Sequence, residues 1–89
     1  MKKSELNLLR NLEAIYITAC IEHGEGTESG DYRKVNRAAK KIYATVTELK
    51  KKNNLEFLIR FLNHENDSVK LWSSSYLLDI DQDEQQLLP

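Results

Sequence analysis

The sequence has little that would interrupt a helix or cross-link the chain, with one proline, three glycines and one cysteine among 89 residues. A lone cysteine, Cys20, excludes an internal disulfide and leaves no CxxC pair for zinc, which fits a reducing compartment. No stretch approaches the roughly 20 apolar residues that a membrane span requires. Glu5, Asn7, Arg10 and Asn11 also interrupt any apolar core of a signal peptide. We therefore expect a cytoplasmic protein without a membrane segment.

Composition and charge indicate a packed globule with an uneven charge distribution. Apolar residues make up 40% and charged residues 30%, and the length suits one domain over residues 1–89. Between Asp31 and Lys52, eight basic residues face only Asp31 and Glu48, which gives this segment a net charge of +6. Because the whole chain carries −1, the remainder carries −7, and the molecule is strongly dipolar.

Apolar periodicity predicts an all-α chain of four to five helices. We expect the first helix over Ser4–His23 and a loop from Gly24 to Gly30, with Gly24 as the helix cap. Asp31 or Ser29 then offers the N-cap oxygen of the second helix. The core-facing stripe of the first helix is predicted to be Leu8, Leu9, Leu12, Ile15, Tyr16, Ala19 and Cys20.

A second, narrower apolar strip runs along the first helix through Leu6, Ala14, Ile17 and Ile21. A helix that is apolar on two sides either packs between neighbours or meets a partner chain. One expectation is therefore that Leu6, Ile17 and Ile21 form a homodimer contact.

The second helix is predicted to run to about Lys52, where Asn53 and Asn54 end it. Its buried stripe comprises Val35, Ala38, Ala39, Ile42, Val46 and Leu49, with Tyr43 at the edge. The opposite side carries a basic face without interleaved aromatic residues, formed by Arg33, Lys34, Arg37, Lys40, Lys41, Lys51 and Lys52.

Two further helices are predicted, over Leu55–Leu62 and Ser68–Leu78, the latter capped by Asp67. The predicted buried residues are Leu55, Leu58, Ile59 and Leu62 in the third helix, and Val69, Leu71, Trp72, Ser75 and Leu78 in the fourth. A capping box at Asp81–Glu84 then predicts a break before a final stub, Gln85–Pro89.

The stretch Leu55–Leu78 resembles a single HEAT repeat, because an apolar helix, a turn with Asp, a Val–basic pair and a second apolar helix follow one another. In this resemblance Val69 fills the gap between paired helices, and the small residues Ser73–Ser75 allow close approach. The resemblance implies a short HEAT-like right-handed array in which the first two helices are degenerate neighbours of the repeat.

Residues 10–84 also resemble a small bacterial HEAT-like family catalogued as a domain of unknown function. The shared cues are Asn36, Glu48, Leu49, His64, Val69, Lys70, Leu71, Trp72, Leu77 and Leu78. The family usually has Ala-Ala where this chain has Ser73-Ser74, and members often continue through a further helix where this chain stops at Pro89. The second of these differences leaves two expectations open, a truncated repeat array or an apolar face left for a partner. The resemblance implies a protein-interaction role, of which an immunity-type inhibitor of a bacterial toxin is a narrower form.

The sequence contains no catalytic motif and implies no cofactor. Cys20 and His23 lie three residues apart, but only His64 remains as a further histidine ligand for zinc. Asp79, Asp81 and Asp83 alternate like the start of a calcium loop, which then lacks its glycine and its twelfth position. Ser73, Ser74 and Ser75 lack a GxSxG context. We expect a protein that is not an enzyme and holds no metal.

Two binding surfaces follow from these patterns. The first is an acidic end that would contact a protein partner, formed by Asp79, Asp81, Asp83, Glu84 and the neighbouring Tyr76. The alternative is a nucleic-acid contact on the basic face through Arg33, Arg37, Lys40, Lys41 and Lys51. That face is equally open to two other interpretations, a solvated helix surface or a contact with an acidic protein.

Overall fold

The computed structural model describes the backbone of residues 3–52 and 56–87, and the side chains of residues 3–52 and 56–78. Four helices account for most of these residues: α1 (Lys3–Ser29), α2 (Tyr32–Lys51), α3 (Glu56–Phe61) and α4 (Asp67–Leu87). No strand occurs in the described ranges, which confirms the all-α class. The chain divides into two compact units, Met1–Leu55 and Glu56–Pro89. The single domain and the HEAT-like array stay predictions.

The predicted loop after His23 is wrong, because α1 continues as a helix to Ser29. The residue that ends it is Gly30, whose φ of 74° lies in the left-handed region that favours glycine. The Gly30 N–H donates to the Thr27 carbonyl (3.4 Å) and the Asp31 N–H to the Gly26 carbonyl (2.8 Å). These two bonds form a Schellman motif, which satisfies carbonyls at the end of α1.

Gly26 is a packing residue of the α1–α2 pair, where the sequence pattern predicted a loop glycine. It is buried near the end of α1. A Cβ added there would lie 2.9 Å from Val35 Cγ2 and 3.2 Å from the Val35 backbone nitrogen. The missing side chain therefore allows the end of α1 to approach the start of α2.

The beginning of α2 follows the prediction. Asp31 is its N-cap, with extended backbone angles and with Oδ1 accepting from the Lys34 N–H at 3.2 Å. α2 ends at Lys51, and Asn53 and Asn54, which were predicted to end it, lie outside the described residues. Ala38, Ile42, Val46 and Leu49 are buried as predicted, whereas Val35 and Ala39 are half-buried.

Helices α1 and α2 run antiparallel, as two ion pairs between them show. Lys34 Nζ lies 3.5 Å from Glu25 Oε1, and Lys41 Nζ lies 3.8 Å from Glu22 Oε2, so later positions on α2 meet earlier positions on α1. Both pairs are partly exposed, so each contributes at most about 1 kcal/mol to stability.

The buried side of α1 is narrower than its apolar periodicity predicted. Leu9, Tyr16, Ala19 and Cys20 are buried, but Leu8 and Ile15 are exposed and Leu12 is half-buried. Ile15 lies one residue, or about 100°, from Tyr16 around the helix, and Leu8 lies on the same flank seven residues earlier. In the second strip Leu6 and Ala14 are exposed, while Ile17 and Ile21 are half-buried.

The buried side of α3 matches the predicted one only at Leu58. Phe57, Leu58 and Phe61 are buried, and the rings of the two phenylalanines meet edge-on with centroids 5.6 Å apart. Ile59 and Leu62 are exposed, and Leu55 lies outside the described residues. The sequence pattern missed this side because it weighed the aliphatic residues and left out the aromatic ones.

The cap of α4 is Asn66 and not Asp67. Asn66 Oδ1 accepts from the N–H groups of Ser68 (2.9 Å) and Val69 (3.2 Å), while the Asn66 N–H donates to His64 Nδ1 at 3.0 Å. An N-cap side chain acts on the N–H groups two or three positions later, and Asn66 occupies that place here.

Helix α4 also continues through the predicted break. It extends to Leu87, so Asp81–Glu84 lies inside the helix and does not start a new one. No glycine or proline occurs between Leu77 and Leu87 to end it. Within α4, Val69 and Ser73 are buried as predicted for the pairing with α3, Trp72 is half-buried, and Ser75 is exposed.

Candidate binding surfaces

The five residues of the basic face that were predicted to contact nucleic acid are all exposed: Arg33, Arg37, Lys40, Lys41 and Lys51. Lys41 is drawn towards Glu22, and Lys51 lies 3.5 Å from Glu48 on its own helix. Within the described residues, no carboxylate forms an ion pair with Arg33, Arg37 or Lys40. Spacings of four and three residues place these three cations on one stripe, where their charge is available to a ligand.

Two tyrosines flank the basic face, and sequence reasoning missed both as surface features. Tyr32 is 79% exposed and Tyr43 is 55% exposed. They lie eleven residues apart, which is close to three helical turns, so both occupy one side of α2. The sequence analysis described a basic face without interleaved aromatic residues, and it did not foresee these two exposed rings beside the face. The spacing of eleven was the signal that could have found them.

Two exposed leucines, Leu71 and Leu78, lie on one side of α4, and we call this pair the leucine column. These leucines are 66% and 62% exposed, although both were predicted to be buried. Their separation of seven residues places them on one side of the helix. Between them, the hydroxyls of Ser74 and Ser75 donate to the Leu71 carbonyl at 3.0 and 2.9 Å, so both hydroxyls bond to their own helix.

The predicted acidic end is only partly described. Tyr76 is half-buried in α4, with its ring tilted 30° to that of Trp72 and 6.2 Å away between centroids. The backbone positions of Asp79, Asp81, Asp83 and Glu84 also lie in α4, but their side chains are outside the described residues. One helix therefore contains the leucine column, Tyr76 and the acidic sequence.

Two shallow grooves run beside α1. The larger, of about 430 Å³, is lined by Ala14, Ile15, Thr18, Ala19 and Lys41. The smaller, of about 240 Å³, is lined by Glu5, Leu8, Leu9 and Lys52. Among the described residues that line the larger groove, Lys41 is the one ionisable side chain, so these residues form no acid–base pair.

Cys20 is built for packing and not for reactivity. It is fully buried in α1, and this burial raises the pKa of its thiol to about 12, while a hydrogen bond with the Tyr16 side chain acts in the opposite direction. A thiol with such a pKa stays protonated at neutral pH, whereas nucleophilic and metal-binding cysteines act as thiolates. The described residues contain no group of three or more His, Cys, Asp or Glu side chains placed to hold a metal ion.

Comparison of the chain with protein-family models, curated proteins and solved structures found no match in any of the three. The resemblance to a HEAT-like family thus stays a prediction that rests on the residues named for it. Within the described residues, none of the helices is both long and apolar enough to cross a membrane.

Proposed function

We propose that this chain is a non-enzymatic protein-binding module, an adaptor or inhibitor, whose leucine column on α4 contacts the partner. The observation that carries the proposal is the exposure of Leu71 and Leu78, at 66% and 62%, on one side of a regular helix. An exposed leucine gains about 1.5–3 kcal/mol when a partner buries it fully. The two leucines lie seven residues apart, which is one of the spacings at which a helix presents its anchor residues to a protein groove.

The proposed partner is basic next to its apolar contact. Four acidic residues, Asp79, Asp81, Asp83 and Glu84, follow Leu78 directly in the same helix. Opposite charge on a partner would speed association and fix its orientation beside the apolar anchors. A narrower form of this proposal is an immunity-type inhibitor, in which the acidic segment occupies the basic cleft of a nucleic-acid-cleaving toxin. The proposal keeps the cytoplasmic location expected from the single cysteine, the interrupted signal-peptide core and the lack of a long apolar stretch.

The non-enzymatic part of the proposal is supported by the chemistry of the described residues. The single cysteine is buried with a raised thiol pKa, and one histidine, His64, accepts a hydrogen bond from the turn before α4. The larger groove is lined mainly by small and apolar side chains. None of these features supplies an activated nucleophile with an adjacent base.

Affinity capture from host lysate tests the proposal when three forms of the chain are compared. We expect the wild type and Ile15→Ser to recover the same basic protein, and Leu71→Ser/Leu78→Ser to lose it. Ile15 is the matched control because it is an exposed apolar residue on another helix. Binding of the purified partner by calorimetry should weaken at least tenfold for the leucine variant, since about 1.4 kcal/mol is a factor of ten.

Three results would contradict the proposal. The first is recovery of the partner by the leucine variant as efficiently as by the wild type. The second is loss of the partner on substitution of Ile15, which would move the contact to α1. The third is recovery of nucleic acid, without a protein, by the wild type. Asp81→Asn/Asp83→Asn separately tests the charge of the partner and should lower the association rate at low salt.

A further inference from the structure

The exposed side of α2 combines three available cations with two exposed aromatic rings. Arg33, Arg37 and Lys40 form one stripe without ion pairs to described carboxylates. Glu48 is the single acidic residue within α2, and it lies near Lys51 at the other end of the helix. These three cations, all in the first half of α2, therefore present positive charge to solvent without an ion pair to a described carboxylate.

The two tyrosines form a second stripe beside these cations. Tyr32 and Tyr43 are among the most exposed large side chains of the chain's described part, at 79% and 55%. A helical rise of about 1.5 Å per residue places their Cα atoms about 16 Å apart along α2. Asn36, which is also exposed, lies between them, one turn after Tyr32.

Cations that follow a backbone beside aromatic rings on which bases stack are the features that bind single-stranded nucleic acid. We propose that the exposed side of α2 binds single-stranded nucleic acid, with cations contacting phosphates and tyrosines stacking on bases: Arg33, Arg37, Lys40, Tyr32 and Tyr43. This site uses residues of α2 and none of the leucine column of α4, so the inference does not depend on the proposed protein partner.

The tyrosines favour a single strand over a duplex and over an acidic protein. In a duplex the bases stack on one another and offer no free face to a side chain. An acidic protein would neutralise the same cations but would not require two aromatic rings on one side of the helix. Stacked nucleotides rise about 3.4 Å each, so the spacing of 16 Å corresponds to about five nucleotides.

Fluorescence anisotropy with labelled dT12 and rU12, and with a duplex of the same length, tests this inference. At about 50 mM salt, where phosphate contacts are strong, we expect saturable binding of the single strands and weaker binding of the duplex. Tyr32→Ala and Tyr43→Ala should each weaken binding by about fivefold or more, and Tyr32→Phe and Tyr43→Phe should retain it. Tyr32→Gln and Tyr43→Gln repeat the test, because glutamine, like alanine, favours a helix but offers no ring for stacking. We expect them to weaken binding as the alanine variants do.

The charge contribution has its own readout. Removing one phosphate contact with Arg33→Gln or Arg37→Gln should reduce the slope of log affinity against log salt by about 0.7. Arg10→Gln is the matched control, because Arg10 is an exposed arginine on α1, outside the basic face. It should leave affinity and slope unchanged, as should Leu71→Ser/Leu78→Ser.

Several results would overturn the inference. One is the absence of saturable binding at protein concentrations up to about 100 µM, which is the weakest dissociation constant typical of non-specific binding. Another is an affinity that does not change when both tyrosines become alanine. A third is a duplex that binds as tightly as the single strand. Displacement by poly-glutamate that is as effective as displacement by unlabelled dT12 would instead assign the face to an acidic protein.

Discussion

Helices α2 and α4 have nearly the same length, 20 and 21 residues, but their exposed sides differ in chemistry. The exposed side of α2 carries cations and tyrosines, whereas that of α4 carries Leu71 and Leu78. Water hydrates exposed cations favourably, so the charged side of α2 needs no ligand to be stable in solution. An exposed leucine contributes favourable hydrophobic free energy only when another surface covers it and removes it from water. The two proposals therefore assign different classes of ligand to the two helices.

The two helices also begin in different ways. The start of α2 depends on Gly26, Gly30 and Asp31, which turn the chain within two residues of the end of α1. The start of α4 depends on a side chain, Asn66, which bonds two N–H groups while its own N–H bonds His64. Backbone geometry controls the first connection and a polar side-chain network controls the second.

The largest expected effect tests whether the leucines of α4 are surface residues. Ile42→Ala, on the buried side of α2, should lower the free energy of unfolding by about 2–5 kcal/mol. Leu71→Ala and Leu78→Ala should each change it by about 0.5 kcal/mol or less, because both side chains are already solvated. Urea unfolding followed by circular dichroism measures all three. If Leu78→Ala lowered the free energy of unfolding as much as Ile42→Ala, the leucine column would be part of a core and not an exposed surface.

The close approach at Gly26 should give the next largest effect. Gly26→Ala should cost about 1–3 kcal/mol, because its Cβ would crowd Val35 Cγ2 at 2.9 Å. Adding Val35→Ala should recover part of that loss in a double-mutant cycle. Gly30→Ala should cost about 1–2 kcal/mol through its positive φ, and Val35→Ala should not rescue it. Equal rescue at both glycines would contradict the packing role of Gly26.

Removing the cap of α4 sharpens the contrast between the two connections. Asn66→Ala should cost about 1 kcal/mol, because two N–H groups lose their acceptor. Asp67→Ala should cost less, since its exposed carboxylate contributes only to the helix dipole and to an ion pair with Lys70. Asp31→Ala provides the comparison on α2. If thermal unfolding showed that Asp67→Ala costs more than Asn66→Ala, the cap would be misassigned.

The smallest effect at neutral pH concerns Cys20 and becomes measurable only in alkali. Its folded pKa is raised to about 12 from an ordinary 9.0, so the unfolded thiol ionises first as pH increases. Its contribution to stability is therefore complete below about pH 9 and is lost as pH rises towards 12. Cys20→Ala should lack this part of the pH dependence in urea unfolding measured at pH 7 and pH 10. Identical slopes for the two proteins would show that the thiol pKa is ordinary.

Sequence reasoning was accurate where polar residues mark the boundary of an apolar stripe. On α2, the cations and Asp31 leave one side for Ala38, Ile42, Val46 and Leu49, and the structure buries all four. It failed on α4, where leucines occur on several sides and periodicity does not select one of them. The same helical periodicity that predicted the buried stripe of α2 also placed the candidate cations on the opposite side. The exposed tyrosines were not, because Tyr43 was assigned to the edge of the buried side.

The sequence by itself determined the all-α class, Asp31 as a candidate N-cap of α2 and the charged side of α2, because these depend on local periodicity and capping chemistry. Only the tertiary structure decided that Gly26 lies inside a helix, since its role is to avoid a clash with Val35 from another helix. It also decided which leucines stay exposed. Burial depends on what packs against each side, and one helix cannot encode that in its own spacing.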